Sequence, residues 1–309
     1  MHHLVSSPPL QLTIATRQSR LALWQAHNVQ ALLEQRGHQV NILGMTTEGD
    51  RTLNRPLSQI GGKGLFVKEI ERALQEGRAD LAVHSLKDVP VHMPAAFSLA
   101  CVPEREDPCD AWVSARYASL QDMPAGATVG TSSLRRAMQI QALRPDLRII
   151  SLRGNVETRL HKLDAGMYDG IVLAAAGLKR LGLENRIRQR LAPEVMLPAG
   201  GQGALAIEIC SARTDLYAVL APLTHQPTWL QVTAERAVSR ALGGNCTAPL
   251  AAYAYFSSAH TLWLQAAWGM PDGSILRAAV QAPCSSLQQA EDIGRMAAQQ
   301  LIRQGAAHP

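Results

Sequence analysis

Arg135 and Arg136 stand where helix physics disfavours them. The stretch Gly130-Thr-Ser-Ser-Leu-Arg-Arg136 follows a short apolar run and opens a helical pattern, so both arginines fall in the first turn. The helix macrodipole is positive there, and a cation costs about 0.3–1 kcal/mol unless something anionic compensates. Thr131 and Ser133, beside unpaired backbone N–H groups, complete a site suited to carboxylate or phosphate. The arrangement recurs at Thr16-Arg17-Gln-Ser19-Arg20 and at Arg153-Gly-Asn155-Val-Glu-Thr-Arg159, with Ser19 and Asn155 as helix caps. Solvated arginines are the plain alternative at any one place. Three such strand-to-helix junctions together point to the crevice at the carboxyl ends of an open α/β sheet, where ligands bind. The ligand is then polyanionic and large enough to touch two lobes.

A different kind of group comes from Val83-His-Ser85-Leu-Lys87-Asp88-Val-Pro90. An aspartate before Val-Pro is commonly a turn former. In an arginine-lined cleft, however, Asp88 is the group able to stabilise a cation or move a proton, and Lys87 beside it keeps the carboxylate ionised. His84 reads as a packing residue. Gly61-Gly-Lys63-Gly-Leu-Phe66 lacks the Walker spacing; it reads as a flexible lid bearing Lys63 and Phe66, or as a simple loop leading into a helix. Cys246 lies in Leu242-Gly-Gly-Asn-Cys-Thr-Ala-Pro249, a loop giving the thiol little cover. Reactive cysteines need such access and a stabilised thiolate, whereas Cys101, Cys109, Cys210 and Cys284 read as inert.

These groups need a frame. Strand-length apolar runs alternate with helical segments: strand 12–16, a helix from Ser19 to about 35, strand 39–45, helix 66–75 and strand 80–84. The rhythm restarts with strands at 128–130, 148–152 and 168–176, the first two each followed by a capped helix, and strand 204–209 comes after Pro198-Ala-Gly-Gly-Gln202-Gly203. Such βαβ alternation implies a mixed, mostly parallel sheet, and the late strand is placed to return to the first unit. From about 228 the style changes to a helix over 231–242, antiparallel strands turning at Pro271-Asp-Gly-Ser274 and a last helix over 287–303, a small α+β unit. The expected fold is α/β in three domains: 10–104 plus 199–222, 105–198, and 223–309.

A chain of 309 residues holds two or three domains. Thirty basic against 25 acidic residues leave +5, which favours anionic partners without demanding nucleic acid, and an aromatic content of 4% offers few stacking platforms. Five cysteines without a C-x-x-C spacing imply neither a disulfide framework nor a zinc site, so no metal is expected. No apolar stretch approaches membrane-spanning length and the amino terminus lacks an export pattern, so the expectation is a cytoplasmic protein without membrane or nucleic-acid partners. A non-enzymatic carboxylate-binding module is the rival reading.

In order along the chain, Ile14-Ala-Thr-Arg17-Gln-Ser19, Gly61-Gly-Lys-Gly-Leu-Phe66, His84-Ser-Leu-Lys-Asp88-Val-Pro, Gly130-Thr-Ser-Ser-Leu-Arg-Arg136, Ser151-Leu-Arg-Gly-Asn155, Ala176-Gly-Leu-Lys-Arg-Leu181, Pro198-Ala-Gly-Gly-Gln-Gly203 and the Cys246 loop resemble the porphobilinogen deaminase, or hydroxymethylbilane synthase, family. The resemblance runs from about residue 12 to at least 280. It implies two periplasmic-binding-protein-like lobes plus the small third domain, and a monomer. It also implies a heme-pathway transferase that joins four porphobilinogen units head to tail with loss of ammonia, then releases linear hydroxymethylbilane by hydrolysis. The implied cofactor is a dipyrromethane bound to Cys246 through a thioether. Carried over by motif, Arg17, Ser19, Ser85, Lys87, Thr131, Ser133, Arg135, Arg136, Arg153, Arg159, Arg180 and Gln202 bind cofactor or substrate. Asp88 assists loss of the amino group and later deprotonation, Lys87 and Lys63 contribute to catalysis, Asp50 lies near the same mouth, and Phe66 is the lid. Gln59, Arg20 and the residues around Cys246 depart from the family pattern without removing a group the chemistry needs.

Overall fold

The computed structural model describes residues 9–47, 67–243 and 248–306. The first stretch of chain forms β1 (Gln11–Arg17), α1 (Arg20–Glu34), β2 (Gln39–Met45), α2 (Lys68–Gln75), β3 (Leu81–Ser85) and β4 (Phe97–Cys101). The next forms β5 (Asp110–Val113), β6 (Thr128–Gly130), α3 (Leu134–Leu143), β7 (Arg148–Ile150), α4 (Val156–Asp164), β8 (Gly170–Ala174), α5 (Ala175–Arg180) and β9 (Gln189–Leu191). β10 (Leu205–Cys210) and α6 (Asp215–Leu220) follow. The chain then makes α7 (Gln226–Ala241), β11 (Leu250–Ser258), β12 (Thr261–Gly269), β13 (Ile275–Pro283) and α8 (Leu287–Arg303).

The two five-stranded sheets have the same plan. One runs β2-β1-β3-β10-β4 and the other β7-β6-β8-β5-β9. In each the first three strands are parallel and the fourth is antiparallel to both its neighbours. That fourth strand is in each case the one that has just crossed from the other lobe. The chain therefore passes between lobes twice, over 102–109 and over 192–204, as the late return strand predicts. The third sheet, β11-β12-β13, is antiparallel throughout. Asp272–Ser274 turns its second hairpin, with Ser274 N donating to Asp272 Oδ1 at 2.9 Å.

Caps start the helices that matter for the site. Ser19 accepts from Ala22 N at 3.3 Å, Ser133 from Arg136 N at 3.4 Å and Asn155 from Thr158 N at 2.8 Å. Each saves one orphan N–H of the first turn. Behind them Ala26, Val29 and Leu33 of α1 bury one face, as Leu160 and Leu163 of α4 do, so the polar starts of the helices stay at the sheet edges.

The largest differences from the sequence reading are two, while other ends move by one or two residues, such as β7 stopping at Ile150 rather than 152. The apolar run expected as one strand over 168–176 divides into β8 and α5. β5 pairs with β8 only from Val113↔Ile171 to Asp110↔Ala174, and the alanine-rich segment beyond the last partner coils into helix. α7 begins at Gln226, five residues before 231, because Pro227 is tolerated in a first helical turn. Three short strands, β4, β5 and β9, carry no signal strong enough to be read from pattern alone.

Candidate active site at the strand ends

In the first lobe one cavity is lined by Arg17, Ser19, Gln25, His84, Ser85 and Asp88 among others. Arg17 ends β1, Ser19 caps α1 and Ser85 ends β3, so all three come from strand carboxyl ends or the helix starts after them. A 3-10 turn, Leu86–Asp88, follows β3. Leu86 is fully buried and its N–H donates to Ala204 O at 3.0 Å, which anchors the turn while Asp88 stays exposed to the cavity. Gly201, at φ 75°, packs on the turn so closely that a Cβ there would lie 2.9 Å from Leu86 Cγ. Gln25 Nε2 donates to Ser85 Oγ at 2.8 Å. His84 is the packing residue expected: its ring nitrogen Nε2 is 2.8 Å from Glu208 Oε2 in the interior.

Lys87 reaches the return crossing. Its Nζ donates to Gln202 Oε1 at 3.4 Å. Burial pushes the ammonium down to about 8, opposed by Asp88 and Asp110 and assisted by Arg136 and Arg135.

In the second lobe Arg135 and Arg136 do start α3, but their heads are buried rather than open to water. Asp110, at the beginning of β5, is the compensating anion. Its Oδ1 accepts from Arg136 Nε at 3.0 Å and Nη2 at 2.7 Å, and Oδ2 lies 2.7 Å from Arg135 Nη1. Burial alone would raise the Asp110 carboxyl, but the two guanidiniums hold it well below the usual carboxylate range. Arg135 also donates to Leu197 O at 2.8 Å and Arg136 to Val172 O at 2.9 Å. Thr131 Oγ1 accepts from Ser133 N at 3.1 Å and so shapes the turn before the helix. Arg159 Nε donates to Gly154 O at 2.7 Å, next to Arg153. Burial pushes its guanidinium down to about 10, helped by Arg136 and Arg153 and opposed by Asp88. Arg180 donates to Gly203 O at 2.7 Å and lies 5.7 Å over the Trp24 ring of the first lobe.

Asp88 and Lys87 of one lobe thus share an electrostatic neighbourhood with Arg135, Arg136, Arg153 and Arg159 of the other. Arg17, Ser19 and Ser85 line the same cavity as Asp88, and Gln202 bridges the lobes. Arg180 sits to one side, at the crossing. Asp50, Lys63, Phe66 and Cys246, and the variant position Gln59, lie outside the described residues. Asp110 is the residue sequence reasoning missed. Its signal was a lone charge opening the apolar run Ala111-Trp-Val113.

A larger cleft, about 610 Å³, is bounded by Glu106, Asp107, Lys179 and Arg190. Its charges pair within its own wall, Lys179 with Glu106 at 3.2 Å and Arg190 with Asp107 at 2.7 Å, so it presents little net charge to a polyanion. Burial pushes the thiols of Cys101 and Cys109 up to about 11 and about 12, and those of Cys210 and Cys284 upward as well. None of the four is a ready nucleophile.

Residues 12–218 match the family model described as "Porphobilinogen deaminase, dipyromethane cofactor binding domain", and residues 229–303 match "Porphobilinogen deaminase, C-terminal domain". The chain belongs to the porphobilinogen deaminase family. A porphobilinogen deaminase of Albidiferax ferrireducens is 63% identical over 292 residues, covering 94% of this chain and 92% of the relative. Another, from Ralstonia nicotianae, is 56% identical over 306 residues, covering 98% and 92%. Solved structures overlap too loosely to carry an argument: the methionine-binding protein MetQ has a TM-score of 0.43 at 13% identity, covering 68% of this chain and 86% of its own, and the Bordetella pertussis BvgS VFT2 domain has 0.41 at 17%, covering 68% and 85%.

As a porphobilinogen deaminase the chain is a transferase of tetrapyrrole biosynthesis. It acts on porphobilinogen to make hydroxymethylbilane, and its cofactor is dipyrromethane. The donor set fits that cofactor. Each pyrrole carries an acetate and a propionate, so two rings present four carboxylates to be held. Among the described residues, Arg135, Arg136, Arg153, Arg159 and Lys87 come together with the carboxylates Asp88 and Asp110. Arg159 is pushed down chiefly by burial and further by its cationic neighbours Arg136 and Arg153, and a bound anion would offset both. Guanidinium, planar and always charged, matches carboxylate better than ammonium does.

Proposed function

We propose that Asp88 is the catalytic carboxylate of this porphobilinogen deaminase and that the arginines hold the acidic side chains of cofactor and substrate. The observation that carries the reading is the shared neighbourhood of Asp88 and Arg159, two residues from different lobes. Arg17 and Ser19 bind from the first lobe, and Arg135, Arg136, Arg153, Arg159 and Arg180 from the second. Thr131 and Ser133 add donors at the start of α3. Dipyrromethane, joined by a thioether to Cys246, supplies the pyrrole carbon at which chain growth begins.

Asp88 faces the aminomethyl group of porphobilinogen. Its carboxylate stabilises the cation left on the substrate methylene as ammonia departs, and it accepts the pyrrole proton released after the new carbon–carbon bond forms. Lys87 and Ser85 orient Asp88 and the acidic side chains beside it. Lys63, Asp50, Gln202 and Phe66 act at the same mouth, Phe66 as a cover over the rings. Four successive units are joined before water releases the linear product. The arginines keep the growing chain near Asp88, which makes each coupling effectively intramolecular.

The partition into 10–104 plus 199–222, 105–198 and 223–309 is part of the same proposal. The membership of the three sheets supports it. So does the position of Pro249, three residues beyond Cys246: Gly269 N donates to its carbonyl at 3.0 Å, and Met138 of α3 touches the same glycine. A monomer working in the cytoplasm, without nucleic acid or membrane, is the finer expectation. Among the described residues, four cysteines are free and no helix is long and apolar enough to cross a membrane. The test is the reaction of purified protein with an Ehrlich-type aldehyde reagent. Wild type gives the dipyrromethane colour and Cys246→Ser, folded, gives none; colour in both would overturn the attachment.

A further inference from the structure

We propose that Asp110 is a positioning residue of the reaction, one buried carboxylate that sets the arginine pair of the second lobe directly and Lys87 of the first lobe through Gln202. The proposal rests on the reading of Asp88 and Lys87 given above. Asp110 is fully buried and begins β5, the strand that has just crossed from the first lobe. Gln202 is 1% exposed and stands before β10, on the return crossing. The two crossings thus meet at a carboxylate and an amide.

The amide can face only one way. Gln202 Nε2 donates to Pro108 O at 2.7 Å and to Asp110 Oδ1 at 3.1 Å. Two acceptors on that side require the –NH₂ end. The carbonyl end is therefore turned to Lys87 Nζ, a donor without acceptor capacity, at 3.4 Å. Were Asp110 uncharged, the amide would lose its charged acceptor and keep Pro108 O, and Lys87 would face a less firmly fixed group. Asp110 meanwhile fixes the plane of Arg136 through Nε and Nη2, with Val172 O taking Nη1. Arg135 is shared between Asp110 and Leu197 O, and Gln139 reinforces the latter by accepting from Leu197 N at 2.7 Å. Heads locked this way lose little freedom when a carboxylate arrives.

Among the described residues, charged groups acting on Lys87 include Asp88 from its own turn, Asp110 from β5, and Arg135 and Arg136 from α3. Burial is the main cause that lowers the ammonium; Asp88 and then Asp110 favour it and the arginines oppose it, so a change of charge at Asp110 displaces the pH at which Lys87 loses its proton. On this proposal the alkaline limb of kcat/KM in wild type reports that loss, which burial brings down to about 8. Removing the negative charge moves the limb to lower pH, and adding one at Gln202 moves it to higher pH.

The experiment measures kcat/KM against pH for dipyrromethane-loaded wild type, Asp110→Asn, Gln202→Glu and Lys87→Met. Intact mass checks the loading. The expected result is opposite displacement of the alkaline limb by roughly one pH unit, downward in Asp110→Asn and upward in Gln202→Glu, and loss of the limb in Lys87→Met. Both charge variants also lower kcat. If Asp110→Asn does not fold, the direction of the limb in Gln202→Glu decides alone. Loss of thermal stability with the limb unmoved would mean a merely structural carboxylate and overturn the proposal. A limb that vanishes in Lys87→Met yet stays fixed in the charge variants rejects the positioning role only. A wild-type profile in Lys87→Met rejects the reading of the site and the proposal with it.

Discussion

Arg159 condenses the chemistry of the site at the scale of one residue. Its Nε is used by Gly154 O, which holds the head beside Arg153, while Arg136 and Asp88 act on it from other elements. A guanidinium under that repulsion gains from any carboxylate that reaches it. A hydrogen bond to a charged group contributes about 1.5–3 kcal/mol, so Arg159→Leu should raise KM for porphobilinogen by roughly ten- to hundredfold with a much smaller change in kcat. Steady-state kinetics on loaded enzyme checks this; an unchanged KM would remove Arg159 from the binding set. The arginines were legible because a cation in a first helical turn conflicts with the helix dipole, and such a conflict demands an anion. Half of that demand is met inside the protein by Asp110. Beyond a lone charge opening an apolar run, the sequence neighbourhood Cys109-Asp-Ala-Trp112 does not name its partners, since Asp110 meets α3 only through the order of strands in the sheet.

At the scale of elements the two crossings do the positioning. Arg105 on the outward crossing donates to Gln202 O on the return crossing at 2.8 Å and forms a two-pronged pair with Glu235 of α7 at 2.7 and 3.2 Å. Glu235 in turn accepts from Gly201 N at 2.6 Å and from Ala254 N of β11 at 2.9 Å. A single buried ion pair therefore joins both crossings to the third domain. Breaking one partner of such a pair costs about 3–5 kcal/mol, because the other charge is left buried. Glu235→Ala should lose about that much in urea unfolding, and a loss below about 1 kcal/mol would show that the knot does not hold the domains. Most helices with polar caps were legible, Ser19, Ser133 and Asn155 included, since a cap is a local device. The division of 170–180 into strand and helix was not. It depends on where β5 stops pairing, and on Gly170, where a Cβ would run into the Trp112 ring across the sheet.

The molecule as a whole repeats one strand order in two sheets and exchanges a strand between them, and Lys87 and Asp88, after a strand of one, act on Arg135, Arg136 and Arg159 of the other. The alternation of strands and helices made the α/β class and the return strand legible. The exchange itself was not, because the antiparallel strand β5 is short and its polar partner distant in sequence. What this architecture achieves is to set a carboxylate from one lobe against guanidiniums from the other, and Asp88 is that carboxylate. The measurement that tests this most directly is the turnover of Asp88→Asn alongside its intact mass. The substitution keeps shape and removes charge, so the variant should still carry two pyrrole units while kcat falls by about 10²–10⁴-fold. An Asp88→Asn enzyme that carries the cofactor and turns over at the wild-type rate would contradict the account.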